Sequence, residues 1–172
     1  NRMKLDKLRE DMKAVLKPSR YLHSIGVEEV SCDLAVIHCC DMDKAAIAGI
    51  LHDCAKSVSV DEMLDLCRKY NMQVSELEAR NSSLLHSKAG ALIARYKYAI
   101  VDDEILDAIK YHTTGRQGMS VLEKIVFVAD YIEPYRRELP DIDKIREAAY
   151  EDLDRAVVMV AGNTLSYLER NG

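Results

Sequence analysis

The sequence contains no apolar run near the roughly 20 residues that a helix needs to cross a bilayer. Residues 1–7, NRMKLDK, also lack the hydrophobic segment of a secretion signal. We therefore expect a protein of the cytoplasm that does not contact membranes.

The five cysteines are odd in number and show no C-x-x-C spacing. They occupy positions at which a helical pattern places small apolar residues, so we expect free thiols in a reducing compartment. Cys54 follows a histidine and an aspartate and could in principle bind a metal ion. Because neighbouring residues on a helix point about 100° apart, we expect Cys54 to have a packing role instead.

An excess of positive charge is also missing, since 24 Lys and Arg stand against 29 Asp and Glu and the net charge is −5. A non-specific nucleic-acid binder carries a basic face that releases counterions from the phosphate backbone, so we expect no nucleic-acid polymer as a partner. A small anionic substrate would need positive charge concentrated in one place, supplied by metal ions and a few basic side chains.

Strand patterns and internal repeats are absent, whereas helical periodicity runs through nearly the whole chain. With 172 residues, 48% of them hydrophobic, we predict one all-α domain over residues 1–172. The predicted helix starts are Ser19, Asp43, Ser59 with Glu62 as a capping box, Asp102, and Ser120 with Glu123 as a second box. A polar connection is predicted over 71–83, followed by helices at 84–98, 121–132, 141–149 and 153–168, with His86 in the first turn of the first of these.

Four of the five histidines and two aspartates form one ordered set, namely His23, His52, Asp53, His86, His112 and Asp130. A single histidine on an apolar helix face is usually a satisfied core residue. His52 and Asp53, however, end a small apolar run at 45–51, where burying both is costly unless a cation satisfies them. Six such ligands suffice for two transition-metal ions, which indicates a metallohydrolase. His38 belongs to no motif and should pack or cap a helix end.

The order His23, His52-Asp53 and Asp130 resembles the HD superfamily of metal-dependent phosphohydrolases, and His86 and His112 match its members with a two-metal centre. The phrases RYLHS, GILHDCAK, LLH, YHTTGR and ADYIEP are similar to those of the YqeK family of symmetrical bis(5'-nucleosyl)-tetraphosphatases. This resemblance covers essentially the whole chain. It implies a helical bundle with the metal centre in its core and an enzyme that splits diadenosine tetraphosphate into two ADP.

Two ions close together can share a bridging hydroxide, because they lower the pKa of bound water, and can clamp the attacked phosphoryl oxygens. We expect Asp53 to bridge the ions. His23, His52 and Asp130 would hold one ion, and His86 and His112 the other. Iron is our first choice for both ions, with manganese, cobalt, nickel and zinc as alternatives. The hydroxide would attack an inner phosphorus in line and release a nucleoside diphosphate.

Lys56 lies three residues after Asp53 and would project to the same side of a continuing helix, as a catalytic phosphate clamp. Its alternative is a solvated lysine at a helix end. Arg116 follows His112 in a glycine-containing turn and could bind a phosphate through two hydrogen bonds.

Arg20 and Arg136 are further candidates for substrate binding, with solvated helix-end arginines as the alternative. Thr113 and Thr114 could donate hydroxyl hydrogen bonds to a phosphate or could merely cap. Glu133 could orient a metal-bound water or a ligand histidine, or could be a solvated carboxylate before a proline.

Other functions stay open on the same residues. An HD phosphohydrolase could act on a nucleoside monophosphate, a deoxynucleoside triphosphate or a guanosine alarmone. A two-iron oxygenase and a non-catalytic nucleotide sensor are the alternatives outside phosphohydrolysis, and the complete ligand set argues against the sensor. The apolar stripes of the terminal helices could close the core or bury against a second copy, and we favour a homodimer.

Overall fold

The computed structural model describes residues 2–171, which form ten α-helices and one short 3₁₀ helix, with no strand among them. The helices are α1 (Arg2–Val15), α2 (Pro18–Ile37), α3 (Met42–Leu51), α4 (Val60–Lys69), α5 (Glu76–Arg80), α6 (Ser82–Tyr96), α7 (Asp103–Lys110), α8 (Val121–Ile132), α9 (Ile142–Glu151) and α10 (Leu153–Asn171), and the 3₁₀ helix is Cys54–Ser57. The predicted all-α class is confirmed. Within the described range, no helix has both the length and the apolar character to span a bilayer.

Helix α3 lies at the centre of the bundle. Residues 45–51 are all buried, because α3 packs against α1, α2, α7 and α8. Small side chains in this run allow the close packing with α2. At Gly49, an added Cβ would lie only 2.8 Å from the Cα of Glu28. The chain that leaves the C-terminal end of α3 therefore emerges inside the bundle, and the next two residues are His52 and Asp53.

The chain tightens directly after α3. His52 is the C-cap of the helix, and the amide of Lys56 donates to the carbonyl of Asp53 at 2.9 Å in the 3₁₀ helix that follows. The prediction that an α-helix continues from His52 to Lys56 is therefore wrong. The tighter turn lets the adjacent His52 and Asp53 side chains reach the same interior space, which a regular α-helix would oppose.

Two capping signals placed helix starts correctly. Ser59 and Glu62 form the reciprocal capping box that begins α4. Asp102 accepts a hydrogen bond from the Glu104 amide at 2.9 Å and begins α7. Each signal depends only on residues within one helical turn, so it can be recognised in the sequence.

Two other helix starts differ from the predictions. Helix α2 begins at Pro18, which suits the first helical position because it has no N–H to satisfy, so Ser19 lies within the helix. Helix α3 is capped by Asp41, which accepts from the Lys44 amide at 3.0 Å, and not by Asp43.

The segment 71–83 is not only a polar connection. Ser75 and Glu78 form a capping box that begins the short α5, and Asn81 caps α6 by accepting from the Ser83 amide. Because α6 begins at Ser82, His86 lies in its second turn and not in the first.

Only one of the two hydrogen bonds of the predicted capping box of α8 is present. Ser120 accepts from the amide of Glu123 at 3.2 Å, but the Glu123 carboxylate binds Arg116 and not the Ser120 amide. Glu123 is only 3% exposed, and a buried carboxylate is stabilised better by a charged partner than by a neutral amide.

Candidate metal centre

The six side chains expected to bind metal come together in the bundle interior. They are His23 from α2, His52 and Asp53 after α3, His86 from α6, His112 after α7 and Asp130 from α8. All except Asp130 are buried, and the side chain of Asp130 is 30% exposed. The cluster is therefore closed on most sides and open beside Asp130.

Asp53 lies between two pairs of histidines. Its Oδ1 atom is 3.1 Å from Nε2 of His86 and 3.4 Å from Nε2 of His112. Its Oδ2 atom is 3.4 Å from Nε2 of His52 and 3.7 Å from Nε2 of His23. One carboxylate thus presents a different oxygen to each pair.

Asp130 faces one of these pairs. Its Oδ1 atom lies 2.9 Å from Nε2 of His23 and 3.3 Å from Nε2 of His52. In the group of His23, His52 and Asp130, and in the group of His52, Asp53 and His112, the candidate ligand atoms lie within 4.8 Å of one another. Both groups have the size of a coordination shell.

Hydrogen bonds to main-chain carbonyls orient three of the four imidazoles. They join Nδ1 of His52 to Gly49 (2.7 Å), Nδ1 of His112 to Ile109 (2.7 Å) and Nδ1 of His86 to Ser82 (3.3 Å). A carbonyl oxygen can only accept, so Nδ1 must carry the proton in each ring. In the neutral imidazole, Nε2 then presents its lone pair to the cluster, as a metal ligand does.

The facing Nε2 atoms provide a test of whether a metal fits. Nε2 of His86 lies 3.0 Å from Nε2 of His112, and Nε2 of His52 lies 3.2 Å from Nε2 of His23. Two lone pairs at this distance repel each other unless a cation or a proton lies between them. Two nitrogens that bind one ion at about 2.1 Å, at roughly 90 to 110°, are themselves about 3.0–3.4 Å apart. The cluster therefore fits divalent metal ions.

The electrostatics of the cluster favour ionised carboxylates. Burial alone would lower the pKa of His52, but the charge of Asp53 and hydrogen bonds with Asp130 and Asp53 raise it from 6.5 to about 10. Burial also opposes ionisation of the two aspartates, yet the charge of His52 and hydrogen bonds from the imidazoles hold both pKa values well below 3.8. The positive charge beside these two buried carboxylates comes from the protonated His52 imidazole, a role that a bound metal ion would take over.

Glu133, the residue after α8, is fully buried behind His23. Its Oε1 atom is 3.1 Å from Nδ1 of His23, and its Oε2 atom accepts from the Tyr135 amide at 2.8 Å. Gly26 makes room for this carboxylate, because an added Cβ would overlap Oε2 of Glu133. The sequence analysis gives Gly26 no role, and its position one helical turn after His23 is a signal that could have indicated one.

The basic candidates Arg20 and Lys56 both lie near the cluster. Nη1 of Arg20 donates to Oδ2 of Asp53 at 3.1 Å, and the Arg20 side chain is 42% exposed. Lys56 is exposed in the 3₁₀ helix. Burial lowers the pKa of His86, and the charge of Lys56 adds to this lowering, so Lys56 lies within electrostatic range of the centre.

Arg136 and Thr113 also lie beside the cluster, whereas Thr114 turns outward. Nη1 of Arg136 donates to the main-chain carbonyl of Asp130 at 2.6 Å. The Thr113 hydroxyl is buried next to His112. The exposed Thr114 hydroxyl donates to the Gly115 carbonyl at 2.9 Å.

Arg116 is bound by Glu123 of α8 and not by a group of the cluster. Its Nε and Nη2 atoms donate to the Glu123 carboxylate at 2.9 and 2.7 Å, and its guanidinium lies 4.1 Å from the centre of the Tyr111 ring. Asp107 lies 3.5 Å from Nη2. These contacts give Arg116 a structural partner on α8, and they do not support the expected two-pronged contact with a phosphate.

Two residues outside the predicted ligand set behave as expected. Nε2 of His38 bonds to the carbonyl of Ala149 at the end of α9, at 2.6 Å, away from the cluster. All five cysteines are free thiols, and the buried Cys54 donates from Sγ to the Gly90 carbonyl at 3.3 Å. Cys54 therefore packs against α6.

Residues 20–135 match the family model of the HD domain, and this range includes the entire histidine and aspartate cluster. The chain therefore belongs to the HD domain family, a class of metal-dependent hydrolases.

Similar proteins narrow this class. A symmetrical bis(5'-nucleosyl)-tetraphosphatase of Halalkalibacterium halodurans is 41% identical over 157 residues, which cover 91% of this chain and 83% of that protein. One from Staphylococcus aureus is 39% identical over 168 residues, covering 96% and 86%. The crystal structure of a predicted HD superfamily hydrolase involved in NAD metabolism from Clostridium acetobutylicum shares a TM-score of 0.91 and 41% identity, covering 97% and 88%. Within the HD family, the chain falls among the symmetrical bis(5'-nucleosyl)-tetraphosphatases.

Proposed function

We propose that this chain hydrolyses diadenosine tetraphosphate, and related dinucleoside tetraphosphates, at the central anhydride to give two nucleoside diphosphates. The proposal is carried by Asp53, whose two oxygens face different histidine pairs at 3.1–3.7 Å. The substrate class is inferred from the two tetraphosphatase relatives, since such a cluster would also suit other phosphoric anhydrides.

In the proposed centre, His23, His52 and Asp130 would hold one divalent ion, His86 and His112 would hold a second, and Asp53 would be a ligand of both. When bound, the ions would supply an activated water and positive charge against the phosphoryl oxygens. Glu133 keeps the ring of His23 in the orientation that ligation requires.

The side chains around the centre bind and orient the substrate. Arg20 beside Asp53 and Arg136 beside Asp130 would hold phosphate oxygens, and Lys56 would add a third positive charge. Fixed charges of this kind stabilise a leaving diphosphate, which is already a stable anion, without a strong general acid.

The reaction consumes one water. Its oxygen forms a bond to one inner phosphorus, and the bond from that phosphorus to the oxygen bridging the two inner phosphates breaks. The electron pair of the broken bond leaves with the second nucleoside diphosphate, and the proton of the water passes to the solvent. Product analysis by chromatography tests this directly. We expect two ADP from diadenosine tetraphosphate, and ATP with AMP would contradict the proposal.

The same assay with a panel of nucleotides separates the alternative functions. Faster turnover of a nucleoside monophosphate, a deoxynucleoside triphosphate or a guanosine alarmone would assign another phosphohydrolase activity. Oxygen consumption by the iron-loaded protein without phosphate release would indicate an oxygenase. Binding without turnover under every metal tested would indicate a sensor.

We propose iron as the resident metal, since the mixed imidazole and carboxylate ligands suit it. Elemental analysis of protein purified without chelators should find two ions per chain with iron in excess. Two ions of manganese, cobalt, nickel or zinc per chain would support the two-metal centre and contradict iron as its metal. One ion or none per chain, even after metal is added, would contradict the two-metal centre.

We further propose a cytoplasmic homodimer. Free cysteines suit a reducing compartment, and α10 exposes an apolar stripe of Val158, Leu165 and Leu168 that a second copy could cover. Sedimentation velocity should give twice the mass of the chain, and a monomer across the accessible concentration range would contradict the dimer.

A further inference from the structure

A cleft of about 360 Å³ opens beside the metal centre, between the cluster and the C-terminal helix. Its lining includes His112 and Asp130 of the cluster together with Tyr167 and Arg170 of α10. We call this space the α10 cleft. Pockets for small molecules measure roughly 300–1,000 Å³, so the α10 cleft has a volume suited to one nucleotide.

Two residues that line the α10 cleft each have a buried polar atom without a hydrogen-bond partner among residues 2–171. These atoms are the Thr113 hydroxyl and Nε of Arg136. Buried polar groups nearly always have a partner, so both atoms are free to donate to a ligand that accepts hydrogen bonds. Arg136 is also held toward the centre by its hydrogen bond to the Asp130 carbonyl.

The charge of the α10 cleft is opposite to that of the chain. Arg136, Arg137 and Arg170 line it, whereas Asp130 is the only acidic residue among the described residues of its lining. The chain as a whole has a net charge of −5. Such a local concentration of guanidinium groups selects a ligand with several negative charges, such as a diphosphate.

Two tyrosine rings, those of Tyr131 and Tyr167, line the α10 cleft. The Tyr131 hydroxyl is held by the Pro140 carbonyl and by Asn163, while the Tyr167 side chain is 58% exposed and available for stacking. A nucleobase stacks readily on such a ring, and this contact tolerates any base.

We propose that the α10 cleft binds one nucleoside diphosphate half of the substrate, with its phosphates on Thr113 and Arg136 and its base on Tyr167. This inference rests on the proposed function and deepens it. The HD family match ends at residue 135, so α10 lies outside the matched range. Helix α10 therefore supplies the nucleoside recognition, and the matched segment supplies the chemistry.

The test compares two probes on the full-length, metal-loaded protein by titration calorimetry. ADP has both a nucleoside and a diphosphate, whereas inorganic pyrophosphate has only the phosphates. Replacing Tyr167 by alanine should weaken ADP binding about tenfold, because base stacking is lost, and should leave pyrophosphate binding within about twofold. Tyr167→Phe keeps the ring and should bind ADP like the unaltered protein.

Tyr150→Ala is the matched control, since Tyr150 is also an exposed tyrosine but lies on α9 and does not line the α10 cleft. It should change neither affinity. Unchanged ADP affinity in Tyr167→Ala would overturn the proposal, and so would an equal loss of ADP and pyrophosphate binding.

The phosphate end is tested with Thr113→Val, which removes only the orphaned hydroxyl. The free variant should melt at the same temperature as the unaltered protein or higher, because an unsatisfied buried group is lost. It should bind ADP and pyrophosphate several-fold more weakly. A lower melting temperature, or unchanged affinity for both probes, would contradict a role for Thr113 in binding phosphate.

These measurements do not require turnover. If ADP binding depends on Tyr167 but diadenosine tetraphosphate is not cleaved, the nucleotide site in the α10 cleft is supported and the proposed function is contradicted. If symmetrical cleavage occurs but ADP binding does not depend on Tyr167, the proposed function is supported and the nucleotide site in the α10 cleft is contradicted.

Discussion

Nδ1 of His23 and Oε1 of Glu133 lie 3.1 Å apart, although 110 residues separate them in the chain. The Glu133 carboxylate is fully buried, and its other oxygen is held by the Tyr135 amide. A buried carboxylate that accepts from Nδ1 presents Nε2 of His23 to the cluster and increases its basicity. Glu133 therefore acts on the metal centre through His23 without touching a ligand position itself.

Replacing Glu133 by glutamine should weaken metal binding about 10- to 100-fold, because the amide keeps the shape but loses the charge that supports His23. Titration of the metal-free protein measures this. Glu147→Gln, at an exposed position of α9, is the control and should bind metal normally. Equal affinities in the two variants would contradict the positioning role of Glu133.

Gly26→Ala should destabilise the protein by about 1–3 kcal/mol, because the new methyl group would overlap the immobile Glu133 carboxylate. Urea denaturation measures the free energy of unfolding. Gly162→Ala is a matched control in the interior of α10, where an added Cβ meets nothing within 4 Å. That change should stabilise the protein by about 0.5–1 kcal/mol, as alanine for glycine does in an open helix. Equal effects at both glycines would show that Gly26 is not needed for close approach.

Asp53→Asn should lower turnover of diadenosine tetraphosphate at least about a thousandfold, or roughly 4 kcal/mol in activation free energy, because an amide cannot bridge two cations. Elemental analysis should show a parallel loss of bound metal. Asp43→Asn, at an exposed position in the first turn of α3, should leave both unchanged. Normal turnover by Asp53→Asn would contradict the proposed centre.

Arg116→Ala should lower the free energy of unfolding by about 2 kcal/mol, because it leaves the buried Glu123 carboxylate without its charged partner. We expect less than the full cost of breaking a buried pair, since the Arg116 side chain is 38% exposed. Adding Glu123→Leu to Arg116→Ala should recover much of this loss, as measured by urea denaturation. A large rise in KM with unchanged stability would instead restore the sequence-based expectation that Arg116 binds a phosphate.

Several features could be predicted because they depend on neighbouring residues. The capping box of Ser59 and Glu62 and the cap of Asp102 are local hydrogen bonds within one helical turn. The same rule would have found the box of Ser75 and Glu78, which we overlooked within a polar segment. The candidate ligands were recognised because imidazole and carboxylate groups in an apolar context need a cation wherever the fold places them.

The residue sequence by itself determined the helical class, several helix starts and the chemical character of the cluster, since these depend on periodicity, capping and the cost of burying charge. Only the tertiary structure decided that Glu133 supports His23, that Gly26 makes room for it, that Arg116 binds Glu123, and that α10 forms one wall of a cleft. The physical reason is that most of these contacts join helices whose relative positions are set by the packing of the whole core. A side chain's partner across such an interface cannot be read from its neighbours along the chain.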